Sequence, residues 1–442
     1  MGAHYRDERI RSRFREDGAD MKGNGSPRWL CGMMAAVLAV SISGCGGGSV
    51  EQLGKGSGYL SGLEPADSLP EEFAEGYAAF SVDLLRELYA AEGENGGNIF
   101  FSPASIAIAA GMLAEGAEGD TRDQLLALFG AADAQTLTEG CRELQSLLSG
   151  NPKKYFRSAN SLWVELSMKE RVLPDYVQRI DAGYGALVAA EPFDQALPGK
   201  VNGWVKEITK GMITEALQPP MEQGLELLLC NALLFEGEWK QRFEKSATTE
   251  GIFHSPGGDI AIPLMHRTDK EEGRYYEDDE VAAALLDYKD GRTAMLVALP
   301  KGEMSRLVDG LTPEGIRRWI DGMESCALTL SMPRFSLRYR TEKLGEALST
   351  LGAEAAFTPS ADFSRMVEGG GVFVSASIHE TALEVDENGT RASAFTGFGL
   401  RKNAAPIPRE LVLDRPFLCM ILDKPTGALL FSGTVNRPDK LA

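Results

Sequence analysis

The chain has 442 residues, 43% hydrophobic and 25% charged, proportions that suit a packed core rather than a disordered or fibrous chain. Its 64 acidic against 45 basic residues leave a formal charge of −19, which repels the phosphates of nucleic acid and offers no broad basic face to acidic polysaccharides, so no nucleic-acid partner is expected. After residue 50 no stretch approaches the roughly 20 apolar residues that a membrane-spanning helix needs.

The chain begins with targeting signals. Met21 opens a short stretch carrying Lys22 and Arg28, followed by an apolar run from Trp29 to Ile42. That run suits a signal-peptide core and is short for a membrane span. It ends in Ile42-Ser43-Gly44-Cys45, which resembles the bacterial lipobox. The resemblance implies a diacylglyceryl group on Cys45, a mature chain that starts there, and an exported protein held at the cell surface or envelope, facing the extracellular or periplasmic side. An ordinary signal peptide with an incidental cysteine is the alternative. Residues 1–20, dense in Arg, Asp and Glu, fit this signal poorly, and Met21 is the expected true start. The expected organisation is therefore upstream residues and signal over 1–44, a flexible Gly/Ser-rich tether over 45–70, and a folded domain over 71–442.

Organised structure begins near residue 71. Phe73, Tyr77, Phe80, Leu84 and Leu88 recur at helical spacing, which predicts an amphipathic helix over 71–91. Ser102-Pro103 is a strong helix start, and Thr121-x-x-Gln124 has the form of a capping box opening another. Thr312-Pro313 and Thr341 open two more, and Gly352 after Leu351 is a helix stop. Strand-like runs dominate the second half. The continuously apolar 225–235 predicts a buried strand, and Lys289-Asp290-Gly291 between two apolar runs predicts a hairpin. Further strands are expected in 326–339, 371–385 and around Lys424-Pro425-Thr426-Gly427. Helices crowd the front and strands the back, an α+β arrangement. No pair among Cys141, Cys230, Cys326 and Cys419 has C-x-x-C spacing, so buried free thiols are expected, with no metal site.

Seven segments resemble the serpin family, in family order, across about residues 72 to 438. They are NIFFSPASIAIAAGMLAEGAEGDTRDQL (98–125), ANSLWV (159–164), VNGWVKEITKGMI (201–213), NALLFEGEW (231–239), 330–364 with its ADFS stretch, SASIHETALEVDENGTRASAFT (375–396) and DRPFLCMILDKPTGALLFSGTVNRP (414–438). The resemblance implies three β-sheets with eight or nine helices and an exposed reactive loop near the C-terminus, about 387–413. It places Ser102, Ser105, Asn231 and His379 in the family's shutter, where the main sheet must part, and Trp239 near the breach, where insertion begins. On physical grounds alone, His379 and Trp239 read equally well as core residues.

In that loop Thr390, Ala392, Ala394 and Thr396 alternate with Arg391, Ser393, Phe395 and Gly397. Successive strand side chains face opposite sides of a sheet, so an inserted segment buries the first set, which is uniformly small and uncharged. Glu387 precedes this run and Asn388-Gly389 supplies a hinge. The implied mechanism is a suicide-substrate trap. A serine protease, or alternatively a cysteine protease, cuts the loop and forms an acyl-enzyme, and the freed hinge side then enters the main sheet as a new strand. Counting from Gly389 by the family's hinge spacing places the scissile bond at Asn403–Ala404, with Lys402–Asn403 and Arg401–Lys402 as alternatives that suit trypsin-like targets. Asn388, Arg391 and Phe395 depart from the residues usual in the family. A monomer without a cofactor is expected, its partners the target protease and, through Cys45, the membrane.

The main rival is a non-inhibitory serpin that acts as a binding or carrier module; Thr390 at the first inward position counts against it. Catalysis is not expected. The histidines are His4, His254, His266 and His379, no G-x-S-x-G occurs, and His379-Glu380 lacks the second histidine of a zinc-protease motif. Asp386-x-Asn388-Gly389 resembles a calcium loop but lacks its remaining ligands.

Overall fold

Local signals in the sequence set several element ends. Ser102 caps a buried helix, its hydroxyl accepting from Ser105 N at 3.1 Å with Pro103 in the first turn. Thr312 does the same for Gly315 N at 3.0 Å. The computed structural model describes residues 50–56, 58, 60, 62–149, 156–219, 224–374, 377, 379–390 and 408–441. In chain order these form β1 (Glu51–Gln52), α1 (Glu71–Leu88), β2 (Ile99–Phe101), α2 (Pro103–Gly116), α3 (Gly119–Ala127), α4 (Ala134–Ser149), β3 (Phe156–Glu165), α5 (Pro174–Tyr184), β4 (Leu187–Glu191) and α6 (Leu197–Ile208). Strands then take over: β5 (Leu227–Phe235), β6 (Gly237–Glu238), β7 (Thr249–Ser255), β8 (Gly258–Glu277), β9 (Val281–Asp287) and β10 (Thr293–Pro300). After α7 (Met304–Asp309) and α8 (Pro313–Asp321) come β11 (Glu324–Pro333), β12 (Phe335–Thr341), α9 (Leu344–Leu348), β13 (His379–Asp386), β14 (Gly389–Thr390), β15 (Pro408–Val412), β16 (Phe417–Asp423), β17 (Leu429–Val435) and β18 (Asp439–Lys440).

The described strands form three sheets, and the class is α+β as expected. One, ordered β15-β11-β8-β9-β10-β16-β17-β2 with β7 on β8, holds the predicted hairpin of β9 and β10. The other two, β1-β4-β3-β5 and β18-β12-β13-β14-β6, share a seam: β6 follows β5 directly, after Glu236. We treat them as two halves of one main sheet: the chain passes from β5 into β6, β6 pairs with β14 and β14 with β13, while no ladder among the described strands joins β5 to β13 directly. Strand alternation divides its faces. Leu162, Val164, Leu233 and Phe235 join the large core with α2, while Trp163, Leu228 and Ala232 join a smaller cluster beneath α6 with Val201 and Trp204.

Four expectations change. Thr121 and Gln124 form no capping box: α3 starts at Gly119, and the two side chains reach across the fold, accepting from Asp362 N at 2.9 Å and Ala355 N at 2.8 Å. Thr341 ends β12 rather than opening a helix, its hydroxyl accepting from Lys343 N at 3.0 Å ahead of α9. The strand expected over 371–385 starts at His379. Within the tether expected over 45–70, strand pairing with the fold starts at Glu51 among the described residues. Glu51 and Gln52 pair with Ala190 and Ala189 as an edge strand of the main sheet, Leu53 N donates to Val188 O, and Ala66 N donates to Ser146 Oγ on α4. Cys45 lies outside the described residues.

The core carries the predicted thiols: Cys141, Cys326 and Cys419 are buried, Cys230 is half-buried, and all four are free. Burial pushes the Cys230 and Cys419 thiols up to about 12, so they remain protonated.

Candidate functional site: an unladdered seam in the main sheet

β5 and β13 run side by side in the main sheet without a hydrogen-bonded ladder between them. On the core face the gap opens into a pocket lined by apolar side chains including Leu113, Leu227, Leu348 and Phe363, with Asn231 and His379 at its polar end. On the α6 face a second, smaller pocket touches Leu229 and Asn231 from the other side. Glu380 of β13 points into this second space with one carboxylate oxygen buried and unpartnered, and desolvation raises its pKa. A sheet edge buried without partners is costly, and β5 and β13 face each other along the seam as two such edges.

One end of the gap is already filled. Asp386 turns the chain, its carboxylate accepting from Asn388 N at 2.7 Å and Gly389 N at 3.0 Å, which accounts for the motif that resembled a calcium loop. Gly389 and Thr390 then pair with Asp386 and Val385 on one side and with Glu238 and Gly237 on the other. The sequence suggested that this stretch enters the sheet only after a cut; in the intact chain its first two residues are already inserted. A Cβ at Gly389 would sit 2.0 Å from Gly237 O, so glycine is required here by close approach of two strands as well as by its hinge freedom. Thr390 is fully buried on the core face, its hydroxyl 2.8 Å from that of Tyr288. Tyr288 stacks on Trp239 with ring centroids 4.6 Å apart and planes at 13°. Trp239 Nε1 donates to Asp386 O at 3.0 Å and its backbone N to Asn388 O at 2.9 Å. Glu387, also buried, accepts from Thr248 Oγ1 at 2.8 Å and lies 3.7 Å from the Arg334 guanidinium. The expected breach tryptophan and the expected hinge thus meet in one aromatic lock.

The middle of the gap is bridged from below by the first turn of α2. Ser105 Oγ donates to Asn231 Oδ1 on β5, and Ser102 N donates to His379 Nε2 on β13 at 3.2 Å. Ser102, Ser105, Asn231 and His379 are therefore brought together across the two halves. His379 accepts through Nε2, which places its proton on Nδ1, and burial lowers its pKa to about 4, so the ring is neutral. Asn231 Nδ2 donates to Asn160 Oδ1 on β3 at 2.6 Å. Asn160, Tyr288, Thr248 and Arg334 escaped sequence reasoning. For Asn160 a signal existed: a buried amide within an apolar strand, directly opposite Asn231 in register. Ala392, Ala394, Thr396, Arg401, Lys402, Asn403 and Ala404 lie outside the described residues.

The family model described as serpin (serine protease inhibitor) matches residues 75–438. An uncharacterized serpin-like protein of Thermococcus kodakarensis is 32% identical over 370 residues, 81% of this chain and 84% of that one. Plasminogen activator inhibitor 1 of Bos taurus is 31% identical over 407 residues, 87% of this chain and 98% of its own. Among solved structures, native tengpin, a thermophilic serpin, superposes with a TM-score of 0.75 at 27% identity, covering 85% of this chain and 97% of tengpin. Human thyroxine-binding globulin with thyroxine bound gives 0.74 at 25%, covering 83% and 98%. The matches span 84% and 98% of these two relatives' own length and the family model covers most of the chain, so the chain belongs to the serpin family.

Proposed function

We propose that this serpin is an inhibitor that traps its target protease by completing the insertion begun at Gly389–Thr390. The observation that carries the reading is the gap itself: its mouth holds two residues of the loop, and its remainder has open space on both faces. Cleavage beyond Thr396 releases the hinge side. Each further residue pair entering between β5 and β13 then gains ladder hydrogen bonds and buries one small side chain. The tethered acyl-enzyme is dragged along at about 3.3 Å per residue. Compression against the far end of the molecule disturbs an oxyanion hole that needs its donors within about 3 Å, and deacylation stalls. Asn403–Ala404 is the proposed scissile bond, with Lys402–Asn403 and Arg401–Lys402 as alternatives, and a serine protease is the proposed target.

We further propose that residues 1–44 are removed and that lipid on Cys45 anchors the protein outside the cytoplasm. Residues 46–49 then separate the anchor from the folded body, a reach of at most about 14 Å, so the outer edge of the main sheet would lie close to the bilayer.

A carrier role is the competing reading, favoured by the likeness to thyroxine-binding globulin and by the core-face cavity. One experiment separates the two. The protein is mixed with a panel of serine proteases, run on a denaturing gel, and the released peptide is weighed by mass spectrometry. A band of summed mass and a peptide starting near residue 404 support the trap. Clean cleavage with no covalent complex, and no rise in melting temperature after the cut, overturns it in favour of the carrier.

A further inference from the structure

The edge strand at the start of the described chain touches more than an edge. Glu51 and Gln52 pair with β4, Leu53 N donates to Val188 O at 2.9 Å, and Gly58 N donates to Gly185 O at 2.9 Å. Ahead of the point where β4 begins, Gly58 takes its place beside β3: its carbonyl accepts from Asn160 N at 2.6 Å. The passage between these contacts is tight, since a Cβ on Gly56 would sit 2.0 Å from Ala186 O. An ion pair between Glu51 and Lys169 fastens the outer end.

The same segment is held a second time, by a different part of the molecule. Ala66 N donates to Ser146 Oγ on α4 at 3.0 Å, the Arg292 guanidinium donates to Ala66 O, and it also lies 3.2 Å from Asp67. Arg292 is fixed by Asp423 through hydrogen bonds of 2.6 and 3.1 Å, where the turn between β9 and β10 meets the end of β16. Residues 51–53, 58, 66 and 67 therefore grip the half-sheet that must move when the gap widens, and also α4 and the nine-stranded sheet. Asn160 joins this grip to the gap. Its backbone N–H is taken by Gly58, and its side-chain carbonyl receives the Asn231 amide, whose other end accepts from Ser105.

We propose that residues 51–56 together with Gly58 are a positioning clasp that sets how fast the main sheet parts, acting through Asn160 on the polar bridge across the gap. The proposal rests on the inhibitory reading and adds a control to it: whatever pulls, cuts or displaces this segment changes the rate of loop insertion without touching the loop. A simple edge cover, which blocks pairing with other chains, would stabilise the intact and the loop-cleaved forms alike. A clasp stabilises the narrow-gap form selectively.

The test uses the full chain with Gly56→Ala, which cannot keep its close approach to Ala186, and Gly54→Ala, whose Cβ meets only the Val177 side chain at 3.0 Å. Two quantities are read: the rate at which uncleaved protein becomes heat-resistant at a fixed temperature, and the melting temperature after limited proteolysis within 391–407. Gly56→Ala should speed the conversion about tenfold, the factor that the net loss of one or two hydrogen bonds corresponds to. Gly54→Ala should speed it about twofold, with less packing disturbed. The cleaved forms of parent and variants should melt together, and the Asn160 amide should exchange faster with solvent in Gly56→Ala. Unchanged conversion rates, or equal losses in the intact and cleaved forms, would reduce the segment to an edge cover. Should Gly56→Ala fail to fold, Gly54→Ala and the Asn160 exchange rate decide alone. A parent that gains no heat resistance on cleavage sinks the inhibitory reading itself, a result distinct from variants that merely match an inhibitory parent.

Discussion

The mouth and the middle of the gap between β5 and β13 are built differently. At the Gly389–Thr390 end, backbone pairing on both sides is reinforced by a fully buried threonine and by Trp239 stacked on Tyr288. In the middle, at Asn231 and His379, no strand among the described residues lies between β5 and β13, and the first turn of α2 joins the halves beside open space. In the proposed trap, insertion at the mouth has passed its costly stage, the ordering of a loop before its contacts repay it. What remains in that scheme is to displace a few polar contacts in the middle. The contrast predicts that changes at the mouth alter whether insertion starts, and changes at the middle alter when it proceeds.

The largest effect is expected at the mouth. Thr390→Arg places a cation where the native side chain is fully buried among Tyr288 and the backbone of β6. Burying it unpaired would cost at least about 3 kcal/mol, so the hinge leaves the sheet. The variant should fold, be cut by the target protease and fail to trap it. The protein consumed per protease inhibited should rise at least about tenfold, the factor that 1.4 kcal/mol of partitioning corresponds to. Trp239 fluorescence should shift as its neighbour Tyr288 loses Thr390. Inhibition as stoichiometric as the parent's would break the comparison at its stronger end.

The next effect belongs to the middle and depends on pH. His379 has a native pKa of about 4 against an unfolded value near 6.5, so between those values the unfolded chain binds the extra proton. Its contribution is therefore complete above about pH 6.5 and is lost as the pH falls towards 4, for a total near 3 kcal/mol. A protonated ring also loses the lone pair that accepts from Ser102 N, on the β13 side of the gap. Urea unfolding of the uncleaved protein should show this loss between pH 7 and pH 4.5. His379→Gln should flatten most of it, separating this group from the general titration of carboxylates. Equal pH dependence in parent and variant would mean that the bridge does not rest on a neutral ring.

How much of this was legible in the sequence depends on whether a feature is local. The α1 stripe, the Ser102 and Thr312 caps, the β9–β10 hairpin and the small residue at 390 all follow from neighbours in sequence, and each stands where its pattern puts it. Thr121 and Gln124 show the limit. The pattern of a capping box is the same whether the side chains turn back on their own helix or reach residues 362 and 355. β1 gave no signal at all, because two residues in a glycine-rich stretch carry no periodicity and their partners on β4 lie far along the chain. Prior insertion of Gly389 and Thr390 was invisible for a related reason. Alternation tells which side chains suit a sheet, and it says nothing of when they enter.

The smallest predicted effect sharpens the comparison most, because it removes one contact and leaves the packing. Tyr288→Phe keeps the ring stacked on Trp239 and deletes the hydroxyl 2.8 Å from Thr390 Oγ1. Both partners are buried, so the threonine hydroxyl then lacks its partner, a net cost of about 1 kcal/mol. If the mouth is held chiefly by the backbone ladder to β13 and β6, this loss leaves Thr390 in place and inhibition intact, with a melting temperature lower by a few degrees. If the side-chain lock holds it, the hinge frays, protease susceptibility near residue 390 rises, and trapping becomes less efficient. The four backbone pairs on the two sides of β14 outweigh one hydroxyl, and the first outcome is expected. Fraying in Tyr288→Phe without a change in Trp239 stacking would transfer control of the first step of insertion from the strand ladder to a single hydrogen bond.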